Sequence, residues 1–277
     1  MAKKFEKIAH YSFTADQYMC NFRKQIFTSA LINQILATAD YHSTERDFGT
    51  EQLAEIGKTW VLSRFAIEIE DLPPRHAKYD IETYIESAQS FFSNRNFVVK
   101  YKNGKNVAVS KSTWSMLDIE SRKPQNVLDV NDGLMKEYIV DDKKKALKCK
   151  KPDRVNIDEN LVLFRTIETY YNDIDFNGHI NSCRYIEHIL DLFSMDWHKK
   201  NIVKRLDVVF VSEAHCGDKL KFYCSAPSYP NANLDTELSP AEQEVENVEY
   251  KIRVCKVEPG SDKESECVRV KLLWRKI

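Results

Sequence analysis

The amino-acid sequence predicts an α+β fold in which a helix followed by mostly antiparallel strands occurs twice. Apolar residues recur with helical spacing around residues 22–35 and again around residues 186–197. Each helical segment precedes runs in which apolar and polar residues alternate, as they do in half-buried strands. Asn103-Gly104 lies between two such runs and predicts a hairpin with a type I′ turn. Periodicity therefore predicts a duplicated, antiparallel fold.

In the first half we expect a strand over residues 5–13 and then a helix capped by Asp16. Residues 65–85 contain two further predicted strands, and residues 97–116 form the hairpin. The helix would bury an apolar stripe, which we interpret as core packing in preference to the wall of a ligand tunnel. The stripe consists of Phe22, Ile26, Ala30, Leu31 and Ile35.

Residues 118–158 lack this regularity. We assign a linker to residues 129–158, between an N-terminal unit over 1–128 and a C-terminal unit over 159–277. Part of this segment is basic, which predicts either a docking surface for an acidic partner or a solvated crossover. We favour the crossover, because charge runs are common in linkers. The basic residues are Lys143, Lys144, Lys145, Lys148, Lys150, Lys151 and Arg154.

The second unit repeats the order of the first. A strand over residues 161–168, a polar loop and a helix over 183–199 precede strands over 206–212 and 219–224. The polar insert over 226–247 is interpreted as a loop outside the core. Two final runs alternate with charged residues and are predicted to pair: Val248, Tyr250, Ile252 and Val254 with Val268, Val270, Leu272 and Trp274.

Composition argues against several classes of protein. The chain has 41 basic and 42 acidic residues, so its formal charge of -1 gives no general attraction to nucleic acid or membrane surfaces. No apolar run approaches the roughly 18 residues that span a bilayer, and the N-terminus has no apolar signal core. The seven cysteines are odd in number and irregularly spaced, and the isolated histidines have no partner at metal-ligand spacing. We expect reduced thiols, mostly in the core, and neither a metal nor a cofactor.

The densest group of chemically able side chains lies directly before the second helix. Asp175, Asn177 and His179 alternate with other residues, so an extended backbone would point all three the same way. Asn181 or Ser182 can cap the helix, whose positive end suits a developing oxyanion. A capped, solvated turn without a chemical role is the alternative interpretation. The density of acid, amide and imidazole groups favours chemistry, without specifying a reaction.

The same stretch resembles part of a known family. YNDIDFNGHINSCRYIEHIL is similar to the catalytic segment of the acyl-acyl-carrier-protein thioesterases, whose pattern is roughly D-x-D-x-N-x-H-V-N-N-x-x-Y. Residues 60–65 and 112–116 resemble first-half motifs of that family and come in the family's order. The resemblance implies a double hotdog fold, in which two tandem units each pack a long helix on an antiparallel sheet. It also implies hydrolysis of acyl-carrier-protein thioesters to free fatty acid, without a cofactor.

The resemblance assigns catalysis to Asp175, Asn177 and His179, and it makes Asn181 a substrate-binding candidate. Asp175 would act as a base, a nucleophile or a water anchor. His179 would move a proton near neutral pH, and Asn177 would orient substrate or water. A backbone N–H at the start of the helix would hold the oxyanion.

A fourth catalytic position matches the family pattern less well. Plant members carry Glu-Cys-Gly where this chain has His215-Cys216-Gly217, so Cys216 aligns with the cysteine and His215 with the glutamate. Glu213 lies two residues earlier and is our candidate for the role of the glutamate. Cys216 also suggests a cysteine nucleophile working with His179 and Asn177. We prefer to interpret Cys216 as a buried structural thiol.

The first unit is expected to lack catalysis. Residues 13–19, where the polar loop should recur, keep one acid and no Asn-x-His. The resemblance assigns this unit to holding the acyl chain, with Trp114 and Met116 as candidates for setting tunnel length; for both, a purely structural role stays open. The resemblance also implies a cytoplasmic bacterial enzyme, an acyl carrier protein as partner, and a homodimer. The alternatives are an acyl-coenzyme A thioesterase and a non-hydrolytic acyl-binding module.

Overall fold

The structure is a computed structural model that describes residues 5–140, 148–157, 160–225 and 247–277. Within these ranges no helix is both long enough and apolar enough to cross a membrane. All seven cysteines lie in the described ranges and five of them are buried, which confirms that most belong to the core.

The chain divides into two compact units, unit 1 over Met1–Pro152 and unit 2 over Asp153–Ile277. Each unit contains an edge strand, then helical segments, then further strands of an antiparallel sheet. The predicted α+β class is therefore confirmed. The boundary between the units follows Pro152, inside the segment 129–158 that the sequence assigns to a linker.

The described residues of unit 1 form one long helix, one short helix and an antiparallel sheet. Its strands pair in the order β1-β3-β4-β5-β2, and β6 pairs with β5. Its elements in chain order are β1 (Ala9–Thr14), α1 (Thr28–Thr44), α2 (Thr50–Ala54), β2 (Lys58–Ile69), β3 (Lys78–Ala88), β4 (Ser93–Tyr101), β5 (Asn106–Asp118) and β6 (Pro124–Gln125).

The long helix α1 begins later than predicted. Its N-cap residue is Phe27, which makes no side-chain cap bond. Asp16 precedes a short 3₁₀ turn, Gln17–Met19, and its side chain caps neither element. The predicted stripe is confirmed at Leu31, which is buried, and is wrong at Phe22, which is 50% exposed. Phe22 continues the apolar spacing without belonging to the helix, so periodicity extends the helix too far.

The hairpin between β4 and β5 is confirmed, but its turn is not type I′. A type I′ turn requires positive φ at both central residues. Gly104 has φ +85°, whereas Asn103 is not among the residues with positive φ. The Gly104 N–H donates to Tyr101 O at 2.8 Å, and the Tyr101 N–H donates to Lys105 O at 2.9 Å. These bonds close a longer loop in which only the glycine takes the left-handed conformation.

A run of 3₁₀ turns over Val127–Tyr138 follows the sheet of unit 1. It is interrupted by positive φ at residues 131–133, where the sequence predicts a loop. Val130 and Met135 are buried in one apolar cluster with Met116. The start of the segment assigned to a linker therefore packs as part of the core of unit 1.

Unit 2 repeats the pattern with its own antiparallel sheet. Its strands pair in the order β8-β11-β10-β9-β7. Its elements are β7 (Val162–Glu168), α3 (Ser182–Leu190), α4 (Met195–Lys200), β8 (Asn201–Phe210), β9 (Lys219–Ser225), β10 (Asn247–Val257) and β11 (Glu264–Lys276).

The predicted continuous helix over residues 183–199 is wrong, because the chain forms two helices there. Asp191 ends α3, and Ser194 begins α4 by accepting the Trp197 N–H at 3.1 Å. Apolar spacing continues from Ile186 to Trp197 across the break, so periodicity gives no sign of it.

The predicted pairing of β10 with β11 is confirmed, and Val248 lies opposite Trp274 and Val254 opposite Val268. A shift by one residue would turn the apolar side chains away from the core, so the alternation excludes such a shift. The predicted insert before β10 lies outside the described residues, except for its last residue, which begins the strand.

Candidate active site

The polar stretch before α3 folds into a tight turn, so the extended backbone suggested by alternation is wrong. The Asp175 N–H donates to His179 O at 2.8 Å, and Gly178, with φ +81°, allows the chain to reverse. Asp175 Oδ1 accepts the Asn177 N–H at 2.8 Å and the His179 N–H at 3.2 Å. One carboxylate oxygen therefore shapes the turn.

Backbone bonds hold this turn against the start of α3. The Asn181 N–H donates to Asp173 O at 2.8 Å, and the Ile180 N–H donates to Ala214 O at 2.8 Å. Asn181 Oδ1 accepts an N–H of the first turn of α3 at 2.8 Å, which confirms the predicted cap. His179 therefore lies directly before the positive end of the helix.

Two further ionisable side chains reach His179 from the loop after β8. His179 Nε2 lies 3.4 Å from Glu213 Oε2. The rings of His179 and His215 meet edge to face, with centroids 5.1 Å apart. The structure thus brings Glu213 to the site as the sequence suggested. It also adds His215, which sequence reasoning left out of the site.

The backbone of His215 is fixed on both sides while its ring stays open to solvent. Its N–H donates to Asp218 Oδ2 at 2.8 Å, and its carbonyl accepts the Thr169 hydroxyl at 2.8 Å. Asp218 and Thr169 are both buried, and the His215 side chain is 55% exposed.

Several polar groups at the turn have no partner among the described residues. These are the side-chain amide of Asn177, Asp175 Oδ2, and the N–H groups of Phe176 and Ser182. The other N–H groups of the turn are used in its own bonds. Because Ser182 is the first residue of α3, its N–H points along the positive end of the helix dipole and suits an oxyanion.

Two cysteines close in sequence to the site residues differ in environment. Cys183 is buried, and burial raises the pKa of its thiol to about 12, which leaves little thiolate at neutral pH. Cys216 is exposed, so the interpretation as a buried structural thiol is wrong. Among the described residues Glu213 and His215 approach His179, and no hydrogen bond joins His179 to Cys216.

The remaining predicted residues lie in unit 1, on one face of β5. Trp114 is half-buried, and its Nε1 donates to Ser112 Oγ at 2.7 Å. Met116 is fully buried in the apolar cluster that contains Val130 and Met135. Among the described residues no group of acidic, histidine or cysteine side chains could hold a metal ion.

Unit 1 contains a second copy of the turn, over residues 21–25 and not over 13–19 as the sequence suggested. The Asn21 N–H donates to Gln25 O at 2.8 Å, and Lys24 has φ +59°. Asn21 Oδ1 accepts the Arg23 N–H at 2.9 Å and the Gln25 N–H at 3.4 Å. These are the bonds of the turn before α3, made by side chains that lack its carboxylate and imidazole.

Two family models match the chain, the acyl-ACP thioesterase N-terminal domain over residues 6–138 and the acyl-ACP thioesterase C-terminal domain over residues 155–276. An acyl-ACP thioesterase crystal structure from Bacteroides thetaiotaomicron is 33% identical, with a TM-score of 0.81 over 97% of this chain and 98% of that one. The chain belongs to the acyl-ACP thioesterase family. Its fold is the double hotdog, as the resemblance implies.

More distant relatives come from plants. The structure of a 12:0-ACP thioesterase from Umbellularia californica is 16% identical, with a TM-score of 0.77 over 99% of this chain and 100% of that one, and shares the fold. A chloroplastic oleoyl-acyl carrier protein thioesterase of Coriandrum sativum is 22% identical over 63% of this chain and 50% of its own length. A chloroplastic acyl-(acyl-carrier-protein) hydrolase of Cuphea viscosissima is 20% identical over 51% of this chain and 34% of its own length. The chain thus matches half or less of the length of these two curated relatives.

Proposed function

We propose that this protein hydrolyses acyl-acyl-carrier-protein thioesters to free fatty acid and the carrier-protein thiol. The observation that carries the proposal is the pair of matched turns. Both have the same backbone bonds, but only the turn before α3 carries a carboxylate, an amide and an imidazole, with a second carboxylate beside them. Membership of the family supplies the reaction and the substrate class.

The first step needs a polarised thioester carbonyl and an activated water. In our proposal the Ser182 N–H binds the carbonyl oxygen, because one such donor is typically worth about 10²- to 10³-fold in rate. Asn177 orients the attacking water through its amide. Asp175 Oδ2 takes a proton from the water as the water oxygen bonds to the carbonyl carbon.

The second step releases the thiol. The carbon–sulfur bond breaks, and the departing sulfur takes a proton from the His179 imidazolium. Glu213, at 3.4 Å, stabilises that imidazolium. The proton on Asp175 then passes to His179, which restores both groups for the next cycle.

A cysteine nucleophile is less well supported. Among the described residues no hydrogen bond joins Cys216 to His179, which would be needed to generate its thiolate, and burial raises the pKa of Cys183. We therefore propose a reaction centred on carboxylates, without an acyl-enzyme on cysteine.

We further propose that unit 1 holds the acyl chain between α1 and its sheet. Positions of the two units can be matched by strand register in the sheets, and in the helices by counting from the starts of α1 and α3. At the matched interior positions, unit 1 carries mostly smaller side chains. Ala39, Ser43, Arg95, Ser112 and the half-buried Trp114 in unit 1 correspond to Phe193, Trp197, Tyr250, Leu272 and Trp274 in unit 2. The aromatic rings of unit 2 fill its interior, with the Phe193 and Trp274 centroids 4.8 Å apart.

The proposed partner is an acyl carrier protein, and the homodimer stays a prediction. Residues 143–145 of the basic docking surface lie outside the described residues. Lys148, also assigned to that surface, pairs with Glu86 at 3.1 Å. This ion pair supports the favoured interpretation of that part of the segment, a crossover between the units.

The test is thiol release from matched acyl-carrier-protein and acyl-coenzyme A thioesters over a range of chain lengths. Wild type is compared with Asp175→Asn, His179→Gln and Cys216→Ser. Asp191→Asn is the control, because Asp191 lies at the other end of α3 and is exposed. We expect preference for the carrier protein, loss of activity in the first two variants, and wild-type rates for Cys216→Ser and the control.

Other outcomes would redirect the assignment. Equal rates with both carriers, or faster coenzyme A turnover, would favour an acyl-coenzyme A thioesterase. Collapse in Cys216→Ser, with an acyl group trapped on the wild-type cysteine, would replace the carboxylate mechanism. Tight binding of acyl thioesters without any turnover would leave a non-hydrolytic acyl-binding module.

A further inference from the structure

A second carboxylate–imidazole pair lies behind the catalytic turn. Asp173 is 7% exposed, and its Oδ1 lies 2.8 Å from His188 Nε2. Its other oxygen, Oδ2, accepts the Tyr170 N–H at 2.9 Å. Its backbone carbonyl accepts the Asn181 N–H at 2.8 Å. Asp173 therefore joins the segment before the turn, the residue that caps α3, and the second turn of α3 itself.

The imidazole of this pair is itself held in place. His188 lies on α3, one helical turn beyond Arg184, and its ring meets the ring of Phe222 on β9 with centroids 6.4 Å apart. The His188 side chain is 25% exposed, which limits the positions open to it. The pair is thus a short link from the sheet, through α3, to the backbone that precedes Asp175.

Unit 1 makes the same link with neutral groups. Counting from the starts of α1 and α3, Met19 corresponds to Asp173 and Gln34 to His188. Gln34 Nε2 donates to Met19 Sδ at 3.4 Å, and Met19 O accepts the Phe27 N–H at 2.8 Å. The contact is common to both turns, but only the unit with catalytic side chains makes it with a strong acceptor and an ionisable donor.

We propose that Asp173 and His188 are positioning residues that hold the catalytic turn and the first N–H of α3 in register for thioester hydrolysis. The inference rests on the proposed function. Asp173 bonds to the residue that caps α3, so a shift of Asp173 moves the cap and the Ser182 N–H together. A displacement of about 1 Å in such a group typically costs about 10²-fold in rate.

The test compares a variant that removes the hydrogen bond between Asp173 and residue 188 with a variant that keeps a donor for it. His188→Leu abolishes the bond to Asp173, and His188→Gln keeps a side-chain N–H, as Gln34 does in unit 1. We expect His188→Leu to lower kcat about 10- to 100-fold with KM unchanged. We expect His188→Gln to stay within about threefold of wild type, because an amide N–H replaces the imidazole N–H.

His198→Leu is the matched control. His198 also lies on a helix of unit 2 and bonds a backbone carbonyl, that of Leu190, at 3.1 Å. A merely structural role predicts that both leucine variants lower the Tm and leave kcat alone. Positioning predicts that His188→Leu alone lowers kcat and shifts the Ser182 amide signal in a ¹⁵N NMR spectrum.

An unchanged kcat and an unshifted Ser182 signal in His188→Leu would overturn the inference while leaving the proposed function intact. Equal damage in His188→Gln and His188→Leu would also overturn it, since the hydrogen bond would then not be what matters. Wild-type protein that turns over no thioester would overturn the proposed function first, and the inference with it.

Discussion

The turn before α3 and the turn before α1 share one backbone and differ in chemistry. In each, the first residue accepts two N–H groups on a single side-chain oxygen, and the fourth residue has positive φ. Asp175 does this in unit 2 and Asn21 does it in unit 1. The turn is therefore a property of the fold, and the chemistry is added by the side chains it carries.

The loop that faces each turn differs in the same way. Ile26 N–H donates to Pro73 O in unit 1, as Ile180 N–H donates to Ala214 O in unit 2. In unit 1 the side chain of Gln25 donates to the backbone carbonyl of Leu72 at 3.2 Å. In unit 2 the matching contact joins His179 to the side chain of Glu213. An amide–carbonyl hydrogen bond in unit 1 thus corresponds to a pair of ionisable side chains in unit 2.

The sharpest test of this comparison is Asp175→Asn, which gives the turn before α3 the residue found at the matching position of unit 1. Asparagine makes the same turn at position 21, so we expect the Tm to stay within a few degrees of wild type. The carboxylate is lost, so kcat/KM should fall about 10²- to 10⁴-fold. Thiol-release kinetics and calorimetry measure the two effects. A large drop in Tm would mean that the charge of Asp175 shapes the turn and that the units are not equivalent.

A second test places a larger side chain in the interior of unit 1, as is found at the matched position of unit 2. Ser112→Leu introduces the residue found at the matched position, Leu272. We expect turnover of the longest acyl chains to fall about tenfold relative to chains two methylenes shorter, since each buried methylene is worth about 0.8 kcal/mol. Ser115→Leu is the control, because Ser115 faces the other side of β5. An unchanged chain-length profile would place the acyl chain elsewhere.

Features set by repeated pattern could be predicted from the sequence. The pairing of β10 with β11 follows from two runs that alternate apolar and charged residues, each with one face to bury. The cap by Asn181 follows from a local side-chain bond. The start of α1 could not be found in this way, because its N-cap residue, Phe27, carries no polar group to mark it.

The sequence predicted which residues form most of the candidate site, but it did not predict how they are arranged. Alternation suggested an extended chain, but the Asp175 carboxylate competes for backbone N–H groups and folds the stretch into a turn. The contact between Asp173 and His188 joins residues 15 apart, at no spacing that a motif would mark. His215 reaches His179 only because the loop after β8 bonds to the turn through Ala214.

The buried imidazole of His42 in the interior of unit 1 should also make the stability of the protein depend on pH. His42 is fully buried in unit 1, and burial, followed by the charges of Arg95 and Arg46, lowers its pKa to about 2. In the unfolded chain the His42 imidazole binds a proton below about pH 6.5, whereas in the folded chain it stays neutral at the same pH. Stability is therefore lost as the pH falls below about 6.5, by up to about 1.4 kcal/mol per pH unit.

His42→Gln should flatten this dependence between about pH 6.5 and pH 4.5. Calorimetry across that range measures it, with His10→Gln as the control because His10 is exposed. A variant with an unchanged slope would show that the acid response does not come from the buried imidazole of unit 1.

The smallest effect is expected from exchanging the residue types at the position with positive φ in each of the two turns. Gly178 has φ +81° and Lys24 has φ +59°, and a Cβ at Gly178 would meet no atom within 4 Å. Gly178→Lys should therefore lower the free energy of unfolding by about 1 kcal/mol, from backbone strain alone. Lys24→Gly should relieve a similar strain, but part of this gain is offset by the larger conformational entropy that glycine loses on folding. For a chain of this size 1 kcal/mol is a shift of about 2–4 °C in Tm. Gly178→Lys could instead unfold the turn while Lys24→Gly changes nothing. The two turns would then share a pattern of hydrogen bonds but not its energetics, because only the turn before α3 would depend on its glycine.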